Sequence, residues 1–334
     1  MMLTRRSLLV SSLAPALVRA EPRLLEVTRI WDESPHNAFT DLVRFRGRWF
    51  CAFREGKGHA SPDGQMRVLT SKDAKTWTSA AIVRSDRGDL RDAKLSVTPD
   101  NQLMLSGAAA LIPSTPHRHQ SMAWFSKDGA QWSQPFAIGD PDFWLWRVTW
   151  HGKAAYSTGY STQVNRNLRT FRLYRSEDGR KFQTLVENLA IPNSPGESTL
   201  RFSPGGEAIC LVRRDPYTGQ PPIPATAATA LLGRAQAPYT KWDWKDTGTR
   251  VGGPNFIRLA DGRHVAAVRL HDGKVRTSLC WLDVDSAKLE EFLPLPSSGD
   301  SSYAGLVAEG DTLHISYYST HEQKTSIYLA KVRF

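Results

Sequence analysis

Three arginines recur at one position of a repeated phrase. Arg54, Arg213 and Arg269 each stand seven residues after a turn pair, Arg46-Gly47, Gly205-Gly206 and Asp261-Gly262. If the phrase is a structural unit, the three guanidinium groups share one height around one axis. Cations facing a single cavity repel one another unless an anion or carboxylates neutralise them, and the planar guanidinium binds a carboxylate bidentately. An acidic substrate is the chemistry this suggests. The other reading pairs each arginine with a nearby acid, as Arg54 could pair with Glu55 or Glu197. Ahead of their own turns by 7, 9 and 9 residues stand Tyr303, Glu197 and Asp92, which place a phenol and two carboxyl groups on the same rim.

The elements that must position these residues are short strands. An apolar strand, a turn pair and a second apolar strand occur six times, the remaining pairs being Asp100-Asn101, His151-Gly152 and Glu309-Gly310. Successive second positions are 54, 51, 54, 56 and 48 residues apart, the period of one four-stranded propeller blade. A second motif runs in phase with the first. Ser71-Lys72-Asp73 with Trp77, Ser126-Lys127-Asp128-Gly129 with Trp132, and Ser176-Glu177-Asp178-Gly179 with Phe182 each follow an alternating strand. In such turns the Asp side chain bonds its own backbone while the aromatic packs back on the blade. The segments Arg234 to Trp242 and Leu279 to Asp285 hold the equivalent places without the motif. An all-β, six-bladed propeller over residues 21–334 is expected, closed by pairing Ser326–Val332 with Leu25–Ile30. Because strands alternate in direction, the turn pairs and the Ser-x-Asp turns lie on one face, and the arginines and the starts of the inner strands lie on the other.

These Ser-x-Asp-Gly segments resemble the Asp boxes of the sialidase superfamily, whose fold is a six-bladed β-propeller. The resemblance spans nearly the whole chain after residue 20. It implies a retaining glycosidase in which a Tyr is the nucleophile, a Glu its base and an Asp on a loop of the first blade the general acid. Carried over, these roles fall on Tyr303, Glu197 and Asp63. Arg213 and Arg269 match the second and third arginines that hold the substrate carboxylate, and Asp92 resembles an acid lining the pocket near the substrate's amide. The family's first arginine would fall at Ala38, in His36-Asn37-Ala38-Phe39-Thr40-Asp41-Leu42, and its pocket arginine at Lys57; Arg54 could compensate from the neighbouring strand. Asp41, Arg147 and Asn255 complete the expected substrate-binding set. A neutral phenol suits a substrate whose own carboxylate would repel a carboxylate nucleophile. Tyr303 could instead be a rim aromatic that stacks on sugar, and Trp144 with Trp146 either a sugar platform or core. The implied activity is removal of a terminal acidic sugar, sialic acid or a relative. Two alternatives stand beside it: a hydrolase or lyase acting on another anionic glycan such as a uronic-acid polymer, and a non-catalytic glycan-binding propeller.

Composition narrows the setting. The segment Thr4-Arg5-Arg6-Ser7-Leu8-Leu9 and the weakly apolar run to Val18-Arg19-Ala20 read as a twin-arginine export signal over residues 1–20, which predicts a periplasmic or secreted protein. Removing Arg5, Arg6 and Arg19 takes the formal charge from +10 to +7, so the remainder stays basic. The Lys and Arg are scattered and form no polybasic run, which favours an acidic glycan over nucleic acid as partner. No internal apolar run approaches the roughly 18 residues of a membrane span, and a monomer is expected. Cys51, Cys210 and Cys280 are too few and too far apart for a disulfide framework, and the histidines His36, His59, His119 and His321 lack metal-ligand spacing. Neither a cofactor nor a metal is expected from sequence.

Overall fold

The structure, a computed structural model, describes residues 21–334, and the export segment read over 1–20 lies outside the described residues. Six antiparallel blades are arranged as a β-propeller, the first and sixth joined into one eight-stranded sheet by a parallel bridge between His36 and Thr325. The inner strands that surround the axis are His36–Phe45, Gly88–Val97, Phe143–His151, Pro195–Phe202, Val251–Arg258 and Ser301–Glu309. Each is followed in its blade by an antiparallel second strand: Arg48–Gly56, Leu103–Leu111, Ala154–Ser161, Ala208–Arg214, His264–Leu270 and Thr312–Glu322.

Burial explains the strand sequences. The second strands are covered on both faces by neighbouring blades, so Leu103-Met104-Leu105-Ser106-Gly107-Ala108-Ala109 is buried throughout. Outer strands are partly open to solvent: in Lys288–Pro294, Lys288, Glu290, Glu291 and Pro294 are exposed while Leu289, Phe292 and Leu293 are half-buried. The seams are apolar. Between the first two blades, Phe50, Met66, Val68, Leu90, Leu105 and Trp124 form one such layer. The three cysteines are free and buried.

The ring closes as the sequence predicts. Val27 pairs with Ala330 and Thr28 with Leu329, so the N-terminal strand Arg23–Trp31 becomes the outer strand of the sixth blade. The hairpin turns are less uniform than their sequences suggest. Phe45 pairs directly with Arg48, leaving Arg46 and Gly47 at φ 47° and 73° in a two-residue turn. Val97 pairs with Leu103, Phe202 with Ala208 and Arg258 with His264, so the second, fourth and fifth hairpins carry five-residue loops.

The Ser-x-Asp turns do what their residues predict. Asp128 Oδ1 accepts hydrogen bonds from Ala130 N at 2.8 Å, Gln131 N at 2.9 Å and Ser126 Oγ at 3.0 Å. Asp73 and Asp178 make the same set. In the fifth blade, where the motif is missing from the sequence, Asp283 still accepts from Asp285 N at 2.9 Å and Ser286 N at 3.1 Å. These bonds lie at the surface, so Asp128→Ala should cost only about 1 kcal/mol and lower the thermal midpoint slightly in a circular-dichroism melt. A loss above about 3 kcal/mol, the scale of a core truncation, would show that blade packing depends on the turn.

Candidate active site

One feature shared by all six inner strands sets the site. Ala38 pairs with Arg54 but Asp41 with Ala52, so two residues on the inner strand oppose one on the second. The same one-residue bulge recurs between Arg91 and Lys94, Leu145 and Val148, Pro195 and Ser198, Gly252 and Asn255, and Ser302 and Gly305. A bulge bends its strand and re-aims the side chain it carries. The first bulged residues are Phe39, Asp92, Trp146, Gly196, Gly253 and Tyr303. Phe39, Asp92 and Tyr303 hold φ values of 65°, 58° and 53°, and Ser302 holds 95°. For residues with a Cβ these left-handed conformations cost about 1 kcal/mol or more each, and the surrounding fold must enforce them.

Tyr303, Glu197 and Arg213 meet at the centre. The Tyr303 hydroxyl donates a short hydrogen bond to Glu197 Oε1. Arg213 Nη1 donates to the same carboxylate oxygen at 2.8 Å and to the Tyr303 hydroxyl oxygen at 3.1 Å. Glu197 Oε2 accepts from the Gly253 backbone N–H at 2.9 Å. A side chain at Gly253, itself at φ 54°, would stand 2.8 Å from the Tyr303 ring, so only glycine lets this amide approach. Asp215 holds Arg213 from behind, with Nε to Oδ1 at 2.7 Å. Burial pushes the Tyr303 phenol well above its ordinary range and the Glu197 charge adds to this, against Arg213 and Arg269. The phenol is therefore neutral at rest, with a carboxylate already on its proton.

Asp92 and Lys94 lie beside this group. Burial raises the Asp92 carboxyl, opposed by Lys94 and Arg91 and reinforced by Glu197. Burial lowers the Lys94 ammonium to about 8, against the pull of Asp92, and its Nζ lies 4.9 Å from the Trp146 ring centre and 5.9 Å from that of Tyr303. Arg269 crosses 5.4 Å over the Tyr303 ring. It donates through Nε to Ser301 O at 2.8 Å and through Nη2 to Tyr318 Oη at 3.0 Å. Neither Nη1 of Arg269 nor Nη2 of Arg213 has a hydrogen-bond partner among the described residues. Trp144 and Tyr160 stack with their planes 4° apart, and Arg169 covers Tyr160 at 5.2 Å.

Several expected site residues lie elsewhere. Arg54 is 0 % exposed and fully committed: Nε to Asp89 Oδ1 at 2.8 Å, Nη1 to Gly58 O at 2.7 Å and Nη2 to Ser61 O at 3.1 Å. It cannot replace the missing arginine at Ala38, which is itself buried. Asp63 is exposed, bonds the Lys57 backbone N–H at 3.2 Å, and is held below the ordinary carboxylate range by the Ser61 hydroxyl and that amide. Asp63 thus faces solvent on its loop and shares no hydrogen bond with Tyr303, Glu197 or Arg213 in this structure. Lys57 is likewise exposed and contributes its backbone to this loop. Asp41 and Arg147 form a buried ion pair at 2.5 Å, and Asn255 bridges Arg201 Nη2 at 3.0 Å and Ala304 O at 2.8 Å. None of the three shares a side-chain hydrogen bond with Tyr303, Glu197 or Arg213. Asp41 and Arg147 line a separate cavity of about 280 Å³ with Leu95, Arg201 and Leu306.

The residues missed by sequence reasoning were signalled by the repeat. Asp89 stands three residues before bulged Asp92, and Asp300 three before bulged Tyr303. Arg54 bonds Asp89 and Arg269 bonds Asp300, at 2.8 and 3.3 Å, so one inter-blade ion pair occurs twice. Tyr318, Arg169 and Asp215 carry no motif.

No protein-family model matches the sequence, and no curated protein matches it. The fold has many counterparts among solved structures. A protein of unknown function from Dyadobacter fermentans superposes with a TM-score of 0.80 at 19% identity, over 94% of this chain and 99% of the other. An α-L-arabinofuranosidase from Fusarium graminearum gives 0.70 at 15%, over 93% and 98%. A Trypanosoma rangeli sialidase gives 0.66 at 15%, over 96% of this chain and 60% of that one. At these identities the likeness establishes a common propeller fold.

The position of Arg54 yields a stability prediction. Arg54→Ala leaves the buried Asp89 carboxylate with only the longer ion pair to Arg91 at 3.8 Å, which should destabilise the protein by up to about 3–5 kcal/mol, read in denaturant unfolding. An Arg54→Ala variant of unchanged stability would contradict the clasp.

Proposed function

We propose that the chain is a retaining glycoside hydrolase that releases a terminal acidic sugar, sialic acid or a relative, from an exported position outside the cytoplasm. The observation that carries this reading is the hydrogen bond from Tyr303 Oη to Glu197, with Arg213 bridging both groups. Glu197 takes the phenolic proton as the Tyr303 oxygen bonds to the anomeric carbon, and the bond from that carbon to the leaving oxygen breaks. Asp92, the carboxyl that burial keeps protonated upward in pH, gives its proton to the leaving oxygen. Water, giving its proton to Asp92, then releases the sugar, and Glu197 returns the proton to Tyr303. The free guanidinium nitrogens of Arg213 and Arg269 receive the substrate carboxylate. The sialidase neighbour is described with 2,3-difluorosialic acid as a covalent intermediate, which supports the same type of chemistry.

Ala38 favours a second reading. With two arginines in place of three, the acidic sugar is a uronic acid, or the carboxylate is absent as in the arabinofuranosides named for the Fusarium neighbour. Incubation with a panel of aryl glycosides of sialic acid, uronic acids and arabinofuranose decides among them, and no turnover of any member would sink the hydrolase reading.

Two variants test the roles. Tyr303→Phe and Glu197→Gln should each lower kcat by at least about 100-fold, and the double variant should be no worse than the more impaired single one. Additive losses would contradict a shared step. Asp92→Asn should lower kcat/KM for glycosides with poor leaving groups and spare kcat/KM for those with activated aryl groups, while the release step that Asp92 also serves slows for both. In the wild type, turnover of the former should fall as pH rises through the raised Asp92 pKa, because the acid form is then lost. Equal loss of kcat/KM on both substrates would remove Asp92 as the acid.

A further inference from the structure

A cluster assembled from three distant segments stands beside the cleft and takes no part in the chemistry above. His36 opens the first inner strand, His59 lies on the loop after Gly56, and Asp300 precedes the sixth inner strand. One ligand atom from each lies within 4.8 Å of the others. His36 Nε2 is 3.2 Å and His59 Nδ1 is 2.6 Å from the same carboxylate oxygen, Asp300 Oδ2. The second oxygen, Oδ1, is occupied by the Tyr318 hydroxyl at 2.7 Å and Arg269 Nη2 at 3.3 Å. Asp300 is thus oriented from one side while both imidazoles converge on the other.

We propose that His36, His59 and Asp300 form a binding site for a divalent transition-metal ion, with Zn²⁺ the best-matched member of the class. Two imidazole nitrogens and one carboxylate oxygen suit such ions, whereas Mg²⁺ and Ca²⁺ take oxygen donors. The three side chains are already drawn together by hydrogen bonds that an ion would replace. His36 is 8 % exposed and its ring packs 6.3 Å from Phe39, while its Nδ1 is buried without a partner. The two imidazoles meet edge to face at 74° with centres 5.6 Å apart, so their nitrogens approach one point from different directions. Tyr318 and Arg269 orient the carboxylate as outer-shell partners do. The His59 side chain is 53% exposed, which leaves further coordination positions open to solvent and substrate. An ion here ties the loop carrying His59 to the sixth blade, whose Tyr318 ring lies 5.8 Å from that of Tyr303.

The proposal is independent of the glycosidase reading and needs no substrate to test. Untagged full-length protein, stripped with a chelator and returned to chelator-free buffer, is titrated with Zn²⁺ by isothermal calorimetry. One ion per chain should bind in the micromolar range or tighter, with no comparable binding of Mg²⁺. His59→Ala removes a mostly exposed ligand and should leave the fold intact. It should weaken Zn²⁺ binding by at least about 100-fold, beyond the about 10- to 100-fold usual for an outer-shell partner. Co²⁺ should give visible absorption bands in the wild type that disappear in His59→Ala and in Asp300→Asn. Absence of saturable one-to-one binding, equal affinity for Mg²⁺, or unchanged Zn²⁺ affinity in His59→Ala would overturn the site.

Discussion

The site depends on one extra residue in every inner strand. In an unbulged strand side chains alternate strictly between two faces, and in a propeller both faces are seams between blades. A Tyr at position 303 would then pack among apolar residues. The bulge between Ser302 and Gly305 breaks the alternation, and the strained backbone at Ser302 and Tyr303 turns the phenol toward Glu197. The same device brings in Asp92 at φ 58° and leaves room at Gly253 for an amide to reach Glu197. Bulges at equivalent positions of the inner strands therefore assemble the site from four blades.

Electrostatics set what the assembled groups can do. Tyr303, Glu197 and Asp92 would repel one another if all were ionised, and burial makes each charge more costly. The arrangement divides the charges. Arg213 stabilises the Glu197 carboxylate while burial keeps Tyr303 and Asp92 toward their neutral forms. In the proposed reaction these three oxygen acids would serve as one base, one neutral nucleophile and one proton donor. Asp215, held ionised by Arg213 ahead of Arg166 and Arg169 and against burial, keeps Arg213 from turning away.

The blade repeat was legible because turn glycines and Ser-x-Asp segments are local signals that need no knowledge of the fold. Ring closure followed from the leftover strand at each end. Tyr303, Glu197, Arg213 and Arg269 come together as the sequence suggests, but counting from the turns misplaced their neighbours. Measured from the bulge, Arg54 and Arg269 share a rung, opposite Ala38 and Gly252, while Arg213 falls one residue short of Arg214 on that rung. Arg54 is closed into an inter-blade clasp by Asp89, Gly58 and Ser61, whereas Arg269 on the same rung lies over the Tyr303 ring and Arg213 reaches its hydroxyl. For Asp63 the loop position was visible in the sequence, but the backbone amide of Lys57 that binds its carboxylate was not. The cluster of His36, His59 and Asp300 spans the whole chain, and no local spacing could announce it.

The central claim is that Tyr303 is the group that bonds to the sugar. Its most direct test is mass spectrometry of the protein after incubation with a 2,3-difluorinated acidic sugar, which slows release of a glycosyl-enzyme. A single adduct on the peptide containing Tyr303, absent from Tyr303→Phe, is the predicted result. An adduct on Glu197, Asp92 or any other residue, with Tyr303 unmodified, would contradict the account.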